Sequence, residues 1–375
     1  MSVQFIGMIG HRLSSEIHEP SGPIFDKAYI TELAQVHERA GFDRILVGYW
    51  SDQPDGFLVA ALAGQVTSRI GLLLAHRPGF VAPTLAARKL ATLDHLLDGR
   101  LALHVISGGN DAEQRKDGDY LGHDQRYART DEFLEVIRKV WTETQPFDHA
   151  GNHYRAQAAF SAIKPLHKPC LPIYFGGSSQ AALEVAGKHA DVFALWGESL
   201  AQTAETIAAV REQAARHARQ VRFSVSFRPI LADTEQAAWA RADNILGQAR
   251  ARLERAGPVI ANKPQSVGAQ RLLDTVAQGE RVDERLWTGI AGLVGGGHNS
   301  TALVGTPEQV ADALLAYHEL GVDTFLIRGF DPLADAQAYG RELIPLTRAK
   351  IAERLERAQP DSPRQVCRSL VDGWA

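Results

Sequence analysis

The chain has 375 residues, 45% of them hydrophobic and 22% charged, a composition that excludes intrinsic disorder and lets a chain of this length bury about three quarters of its unfolded surface. With 40 basic and 44 acidic residues the formal net charge is −4, so no overall field favours nucleic acid or an anionic membrane, and any anion has to be gripped locally. The 2 cysteines, Cys170 and Cys367, exclude a disulfide framework and a thiolate metal site.

Short apolar runs of β character alternate with stretches of helical period along the whole sequence. No basic leader precedes a long apolar run, and none of the apolar runs approaches about eighteen residues, so the expectation is a cytoplasmic protein without a membrane span. Strands are expected over 3–9, 44–49, 70–75, 101–106, 172–175, 192–196, 223–230 and 324–327. Several (IGLLLA, DVFALW, TFLI) are apolar at nearly every position, as strands buried on both faces are. Eight successive βα units predict an α/β fold, a closed (β/α)8 TIM barrel, with residues 1–357 as one unit.

Within that unit, the segment over about 146–165 turns at Gly151 and Asn152 and predicts a hairpin inserted before the fifth strand. The segment over about 257–300, ending in LVGGGHNS, is too long for a plain loop. It reads either as a mobile lid at the strand carboxyl ends or as a solvated excursion with its own small helix. In GTPEQVADALLAYHELG, Thr306 precedes Pro307 and Gly321 marks the stop, which predicts a capped helix. Residues 358–375 read as an appendage, disordered or docking through Leu370, Val371 and Trp374.

Functional groups of such a barrel come from the strand carboxyl ends and the loops after them. Those positions hold His11 and Arg12, the stretch from Trp50 to Gln53, His76 and Arg77, the stretch from Ser107 to Asn110, then Trp196, Arg228 and Arg328. The sharpest local motif is YFGGSSQAALEVAG, a strand, two glycines, two serines and a helix. Backbone N–H groups at a helix start, joined by serine hydroxyls, bind anions, and glycine permits close approach, so Gly176, Gly177, Ser178 and Ser179 form a candidate phosphate cradle. The plainer alternative is a tight turn with a serine N-cap. Dinucleotide and P-loop fingerprints are missing, as are HExxH, CxxC and GxSxG, which argues against a nicotinamide half-site, a metal and a serine nucleophile. His123 and Tyr127 lie four residues apart in LGHDQRYARTDEF, on one face if helical; alone, they fit a helix start with a satisfied histidine.

In order and spacing, AGFDRILVGYW, LAHRPGFVAPTLAARKLATLDHLLDGR, ISGGN, GDYLGHDQRYARTDEF, PIYFGGSS, VFALWGES, SVGAQR, LWTGI and STALVGTPEQVADAL resemble the bacterial-luciferase-like flavin-dependent monooxygenases, and within them the alkanesulfonate monooxygenase branch. The resemblance runs to about Glu356. It implies a TIM barrel that takes FMNH2 from a separate NAD(P)H-dependent FMN reductase, uses O2, and cleaves the C–S bond of a small-molecule sulfonate to sulfite and an aldehyde. A homodimer or homotetramer is implied as well.

Carried over by motif, Ser178 and Ser179 would hold the FMN phosphate beside Gly176 and Gly177. His123 and Tyr127 would contact the flavin, and His76, Ser107 and Trp196 would line its pocket. Where the branch has a cysteine, a strand-seven arginine and histidine, a lid arginine and a tyrosine, this chain has Gln53, Ser226 with Arg228, Gly296 and Phe330. A sulfonate suits a forked guanidinium, so Arg228 and Arg328 are the expected anion clamps, the alternative being a rim salt bridge to a carboxylate. Trp50, Gln53 and Asn299 would complete the substrate side, and the polar positions Gln53, Asp52 and His11 would suit a hydroxylated or sugar sulfonate. His11 and His298 are the candidate proton-transfer groups by type and place. Also open are another sulfur substrate, deazaflavin-dependent hydride transfer, and a non-catalytic flavin-binding protein.

Overall fold

The computed structural model describes residues 3–256, 264–297 and 300–358. His298, Asn299 and the appendage beyond residue 358 therefore lie outside the described residues. From the N-terminus, β1 (Gln4–Ile9) leads through a long irregular segment to α1 (Lys27–Arg39), then β2 (Arg44–Val47), α2 (Gly56–Gln65), β3 (Gly71–His76), α3 (Pro83–Leu96) and β4 (Leu101–Val105). A short α4 (Asp111–Lys116) and a long α5 (His123–Thr142) follow, and then the antiparallel hairpin of β5 (Phe147–Ala150) and β6 (Arg155–Ala159). The barrel resumes with β7 (Ile173–Gly176), α6 (Gln180–His189), β8 (Val192–Trp196), α7 (Leu200–Ala215) and β9 (Arg222–Phe227).

Beyond β9 the chain leaves the barrel. It forms β10 (Ile230–Leu231), α8 (Glu235–Ala256), α9 (Val267–Gln278), β11 (Arg281–Val282), β12 (Leu286–Trp287), α10 (Gly289–Leu293) and β13 (Ala302–Gly305). After α11 (Pro307–Glu319), the last barrel strand β14 (Val322–Ile327) is followed by α12 (Pro332–Ala338), a π-helical turn over Tyr339–Leu343, and α13 (Ile344–Ala358).

The eight parallel strands close in the order β1-β14-β9-β8-β7-β4-β3-β2, a TIM-barrel α/β fold. All eight expected strands are there, displaced by a few residues at most. The strand expected over 223–230 is the exception in extent: Pro229 has no N–H to donate, so the ladder stops at Phe227, and Ile230 pairs with Val304 of β13 instead. The excursion expected over 257–300 as a lid or a solvated loop is more built than either reading. It contributes to a four-stranded sheet, β10-β13-β12-β11, backed by α8 and α10. This sheet has its own apolar cluster, including Ile230, Trp239, Ile245, Trp287, Ile290, Val304 and Phe330.

Strand alternation sorts side chains into two layers. Ile6, Leu73, Ala102, Tyr174 and Val192 fill the barrel floor. Their neighbours Leu72, Leu74, Leu103, Phe175 and Val225 face the helices in the main core. Helix starts coincide with cap residues: Asp26, Ser179, Ser199 and Thr306 each accept from a backbone N–H of the first turn. No helix among the described residues is long and apolar enough to cross a membrane.

Candidate active site

A cavity of 610 Å³ opens at the carboxyl ends of the barrel strands. Its floor is apolar for the most part, with Ile6, Met8, Leu46, Leu73, Ala75, Phe193 and Leu326, interrupted by His104, Ser224 and Ser226. Its rim is polar and aromatic.

On one side of the rim, β7 runs into α6 through Gly176, Gly177, Ser178 and Ser179, all of which face the cavity. Gly177 has φ +146, and a Cβ there would lie 2.7 Å from the Ala182 Cβ and 2.8 Å from the Tyr127 hydroxyl, so only glycine fits without a shift of α6 or of Tyr127. Ser179 caps α6 by accepting from the Ala182 N–H at 3.3 Å, and the Tyr127 hydroxyl reaches Ser179. Burial raises the Tyr127 phenol above its usual pKa, with the Ser179 hydrogen bond working the other way. His123, one turn earlier on α5, tilts against Tyr127 with ring centroids 4.9 Å apart, and is paired with Asp124 at 2.7 Å.

The sequence reading did not single out a second helix start at the same place. Ser266 caps α9 by accepting from the Ala269 N–H, and Ser266, Val267 and Gly268 also line the cavity. A Cβ on Gly268 would lie 3.4 Å from the Trp196 ring and 3.5 Å from Ser178 Oγ, so α9 begins directly against the cradle. Arg271 holds it there with a forked pair to Glu198, at 2.9 Å from Nε to Oε1 and 2.8 Å from Nη2 to Oε2. Two positive helix ends thus converge on Ser178, a setting that favours an oxyanion. The signal for it was the serine before a helical run in SVGAQR.

Other expected residues divide. Trp196 ends β8 in the cavity wall, and Trp50 lines the opposite rim. Ser107 lines the cavity too and shares a hydrogen bond of 2.9 Å with Thr130. His76 does not line it: it has the parity of Leu72 and Leu74, so it faces outward between Phe57 and Phe133. Burial, with a smaller repulsion from Lys89, lowers its pKa to about 4. The inward histidine is His104 on β4, which strand alternation turns to the cavity floor and sequence reasoning overlooked. Burial lowers it to about 4 as well, so it is neutral at physiological pH, and its Nδ1 is buried without a hydrogen-bond partner among the described residues. His11 and Gln53 bond to each other at the outer rim and do not line the cavity. Burial lowers the His11 pKa, Gln53 opposes this, and Arg12 adds to it.

The expected anion clamps are arranged differently from expectation. Arg228 is 1% exposed and lies behind the cavity wall, with Nη1 2.5 Å from Glu16 Oε1. Its Nη2 donates to the Gly329 carbonyl at 2.9 Å, and its guanidinium lies 3.6 Å over the Phe330 ring. Arg328 does face the cavity, with its Nη2 3.4 Å from the same Glu16 oxygen. Burial alone would raise the Glu16 carboxyl, but the two guanidiniums outweigh it and hold it down at about 2. Burial and repulsion from Arg228 lower Arg328 to about 10, against the attraction of Glu16. Glu16 sits in the irregular segment after β1, where no local pattern marks it.

A family model described as luciferase-like monooxygenase matches residues 3–324, which hold seven of the eight barrel strands in full and both cradle helices, α6 and α9. The chain belongs to that family. Among solved structures it is similar to a riboflavin lyase (RcaE), at 21% identity over 93% of this chain and 92% of that one, with a TM-score of 0.77. It is also similar to EDTA monooxygenase from Chelativorans sp. BNC1, at 20% identity, 93% and 94% coverage and a TM-score of 0.74. An F420-dependent secondary alcohol dehydrogenase is 16% identical, with 92% and 99% coverage and a TM-score of 0.67. At such identities the likeness is one of fold.

Proposed function

We propose that this member of the luciferase-like monooxygenases is the oxygenase of a two-component system, using FMNH2 from a separate NAD(P)H-dependent FMN reductase and O2 to cleave the C–S bond of an organosulfonate. The products are sulfite and an aldehyde. The observation that carries the reading is an oxyanion cradle under two helix starts at the same cavity whose wall holds Arg328, with Arg228 directly behind that wall, each just past the end of one of the neighbouring strands β14 and β9.

The cradle fits a flavin monophosphate. Gly177 and Gly268 leave the space a Cβ would occupy, and the Ser178 and Ser179 hydroxyls with the first N–H groups of α6 and α9 are donors for a terminal phosphate. FMNH2, when bound, supplies two electrons, so that one atom of O2 leaves as water and the other enters the substrate. Trp196, Ser107, His123 and Tyr127, which line the cavity, would flank the ring system. The apolar floor and the start of α9 would keep bulk water away from the ring system. Neutral His104 offers a donor or acceptor nitrogen at the floor without bringing a charge there. The resemblance of motifs along the chain to the alkanesulfonate branch favours a sulfonate over the other oxyanions that a guanidinium would accept.

The test is O2 uptake with FMNH2, scored against sulfite release over a panel of alkane, hydroxylated and sugar sulfonates. Sulfite formed in proportion to O2 supports the reading. Oxygenation of another compound without sulfite would move the substrate class, and turnover with F420 but without O2 would replace oxygenation by hydride transfer.

A further inference from the structure

Arg228 and Arg328 come from the ends of adjacent strands and converge on one oxygen atom, Glu16 Oε1, at 2.5 and 3.4 Å. We propose that the Glu16 carboxylate stands in the place of a substrate oxyanion, so that a substrate binds by displacing it from this guanidinium pair, and Glu16 thereby sets the specificity of the cavity. This rests on reading the cavity as a site for a flavin and an anionic substrate.

Several features fit a carboxylate that can be exchanged rather than one that is fixed. Glu16 is engaged through a single oxygen, while Oε2 is buried with no hydrogen-bond partner among the described residues. Arg228 does not need Glu16 to keep its position, because the Gly329 carbonyl and the face of Phe330 hold its guanidinium in place. Glu16 and Arg328 both belong to the cavity wall, so the oxygen to be replaced adjoins the space a substrate would fill.

The backbone around Glu16 is tied down independently. Arg252 donates to the Ser15 carbonyl at 2.7 Å and pairs with Glu19 at 3.3 Å, and His18 lies 3.4 Å from Asp331. A change of side-chain rotamer therefore suffices, with no opening of the loop. Removing a partner from a buried ion pair is costly, but replacing one anion by another leaves the guanidinium pair compensated throughout. Neutral and cationic compounds cannot make that exchange. A sulfonate or a carboxylate can, and the forked donors discriminate between them through the geometry of the incoming oxygens.

The experiment uses the apo protein and small probes: methanesulfonate and acetate, titrated by calorimetry and by thermal denaturation into the native chain, Glu16→Ala, and Glu16→Ala combined with Arg328→Met. Glu16→Ala should lose thermal stability, bind methanesulfonate at least about tenfold more tightly than the native chain, and regain its melting temperature as the probe saturates. The added Arg328→Met should remove the rescue. Rescue by acetate to the same extent supports the exchange and assigns it to oxyanions in general; a preference for methanesulfonate assigns it to sulfonates. Equal affinity in the native chain and Glu16→Ala, no rescue by either probe, or rescue that survives Arg328→Met overturns the proposal. If Glu16→Ala does not fold, Glu16→Gln keeps the side-chain volume without the charge and should still bind methanesulfonate more tightly than the native chain; unchanged affinity overturns it. FMN titrated into the native chain and into Glu16→Ala separates the two readings. Failure of rescue with FMN bound sinks the exchange alone, whereas failure to bind FMN sinks the flavin reading.

Discussion

Replacing Gly177 by alanine perturbs the cradle through backbone strain and steric contact, without removing a charge or a hydroxyl. At φ +146 an L-residue is strained, at a cost of about 1–3 kcal/mol. The new methyl would also meet the Ala182 Cβ at 2.7 Å and the Tyr127 hydroxyl at 2.8 Å, neither of which is the free end of a flexible chain. Ala182 is in the first turn of α6 and fully buried, so the helix start has to move, and with it the N–H groups aimed at the cavity. Strain of that size, expressed at the binding step, corresponds to an FMN complex weaker by about five- to 150-fold. Riboflavin, which has the same ring system without the phosphate, should lose little. The assay is quenching of flavin fluorescence, run in parallel with both ligands. An unchanged FMN affinity, or equal losses for FMN and riboflavin, would refute the assignment of Gly176, Gly177, Ser178 and Ser179 to a phosphate.

The α9 clasp makes a related prediction: Arg271→Met should release the helix start from Glu198 and weaken FMN by about three- to tenfold while sparing riboflavin, in line with the modest worth of a helix end, and equal losses for both ligands would remove α9 from the cradle. Arg228→Met is expected to cost about 3 kcal/mol in a denaturant titration, because it leaves the Glu16 carboxylate with only the longer 3.4 Å contact to Arg328, and a loss below about 1 kcal/mol would show that Glu16 is not held by Arg228. His37, His76 and His104 are each lowered by burial to about 4, so between pH 4 and 6.5 the unfolded chain binds more protons than the folded one. Stability should therefore be full above about pH 6.5 and fall as the pH drops towards 4, by up to about 1.4 kcal/mol per pH unit for each histidine. Urea midpoints at pH 7 and 5.5 read this directly, and His76→Leu should flatten the slope; a pH-independent midpoint would mean that these rings are hydrated. The same result should be visible by NMR as a His104 ring that does not titrate between pH 5 and 8.

The parts of this molecule legible in the sequence are those set by neighbours along the chain. Runs such as IGLLLA declare a strand buried on both faces, and Thr306 before Pro307 declares a helix start, because caps and two-residue alternation are properties of a few consecutive residues. The GGSS turn was legible for the same reason: a helix start assembles its own donors locally. Even the cradle was incomplete, since its second helix start comes from Ser266, far along the chain, and depends on the Arg271 clasp.

Orientation was harder. His76 and His104 both lie near the ends of central strands, and one residue of register decides whether such a ring meets the cavity or the helices. The extra sheet was missed because β10 to β13 are four residues long at most, too short for a periodic signal, and form only through pairing across distant segments.

Local pattern along the chain was enough to specify an eight-stranded barrel, its strand carboxyl ends as the place of chemistry, and a glycine-serine turn suited to an oxyanion. Which charges meet there was decided by the tertiary structure alone. Glu16 and Arg328 stand 312 positions apart, and nothing around either announces the other. Closure of the barrel puts β1 beside β14 and β14 beside β9, and only that closure brings a carboxylate from the first loop against guanidiniums from the last strands. Coulomb attraction between buried groups then holds what the chain order could not foretell, because its strength depends on distance and burial in space and not on separation in sequence.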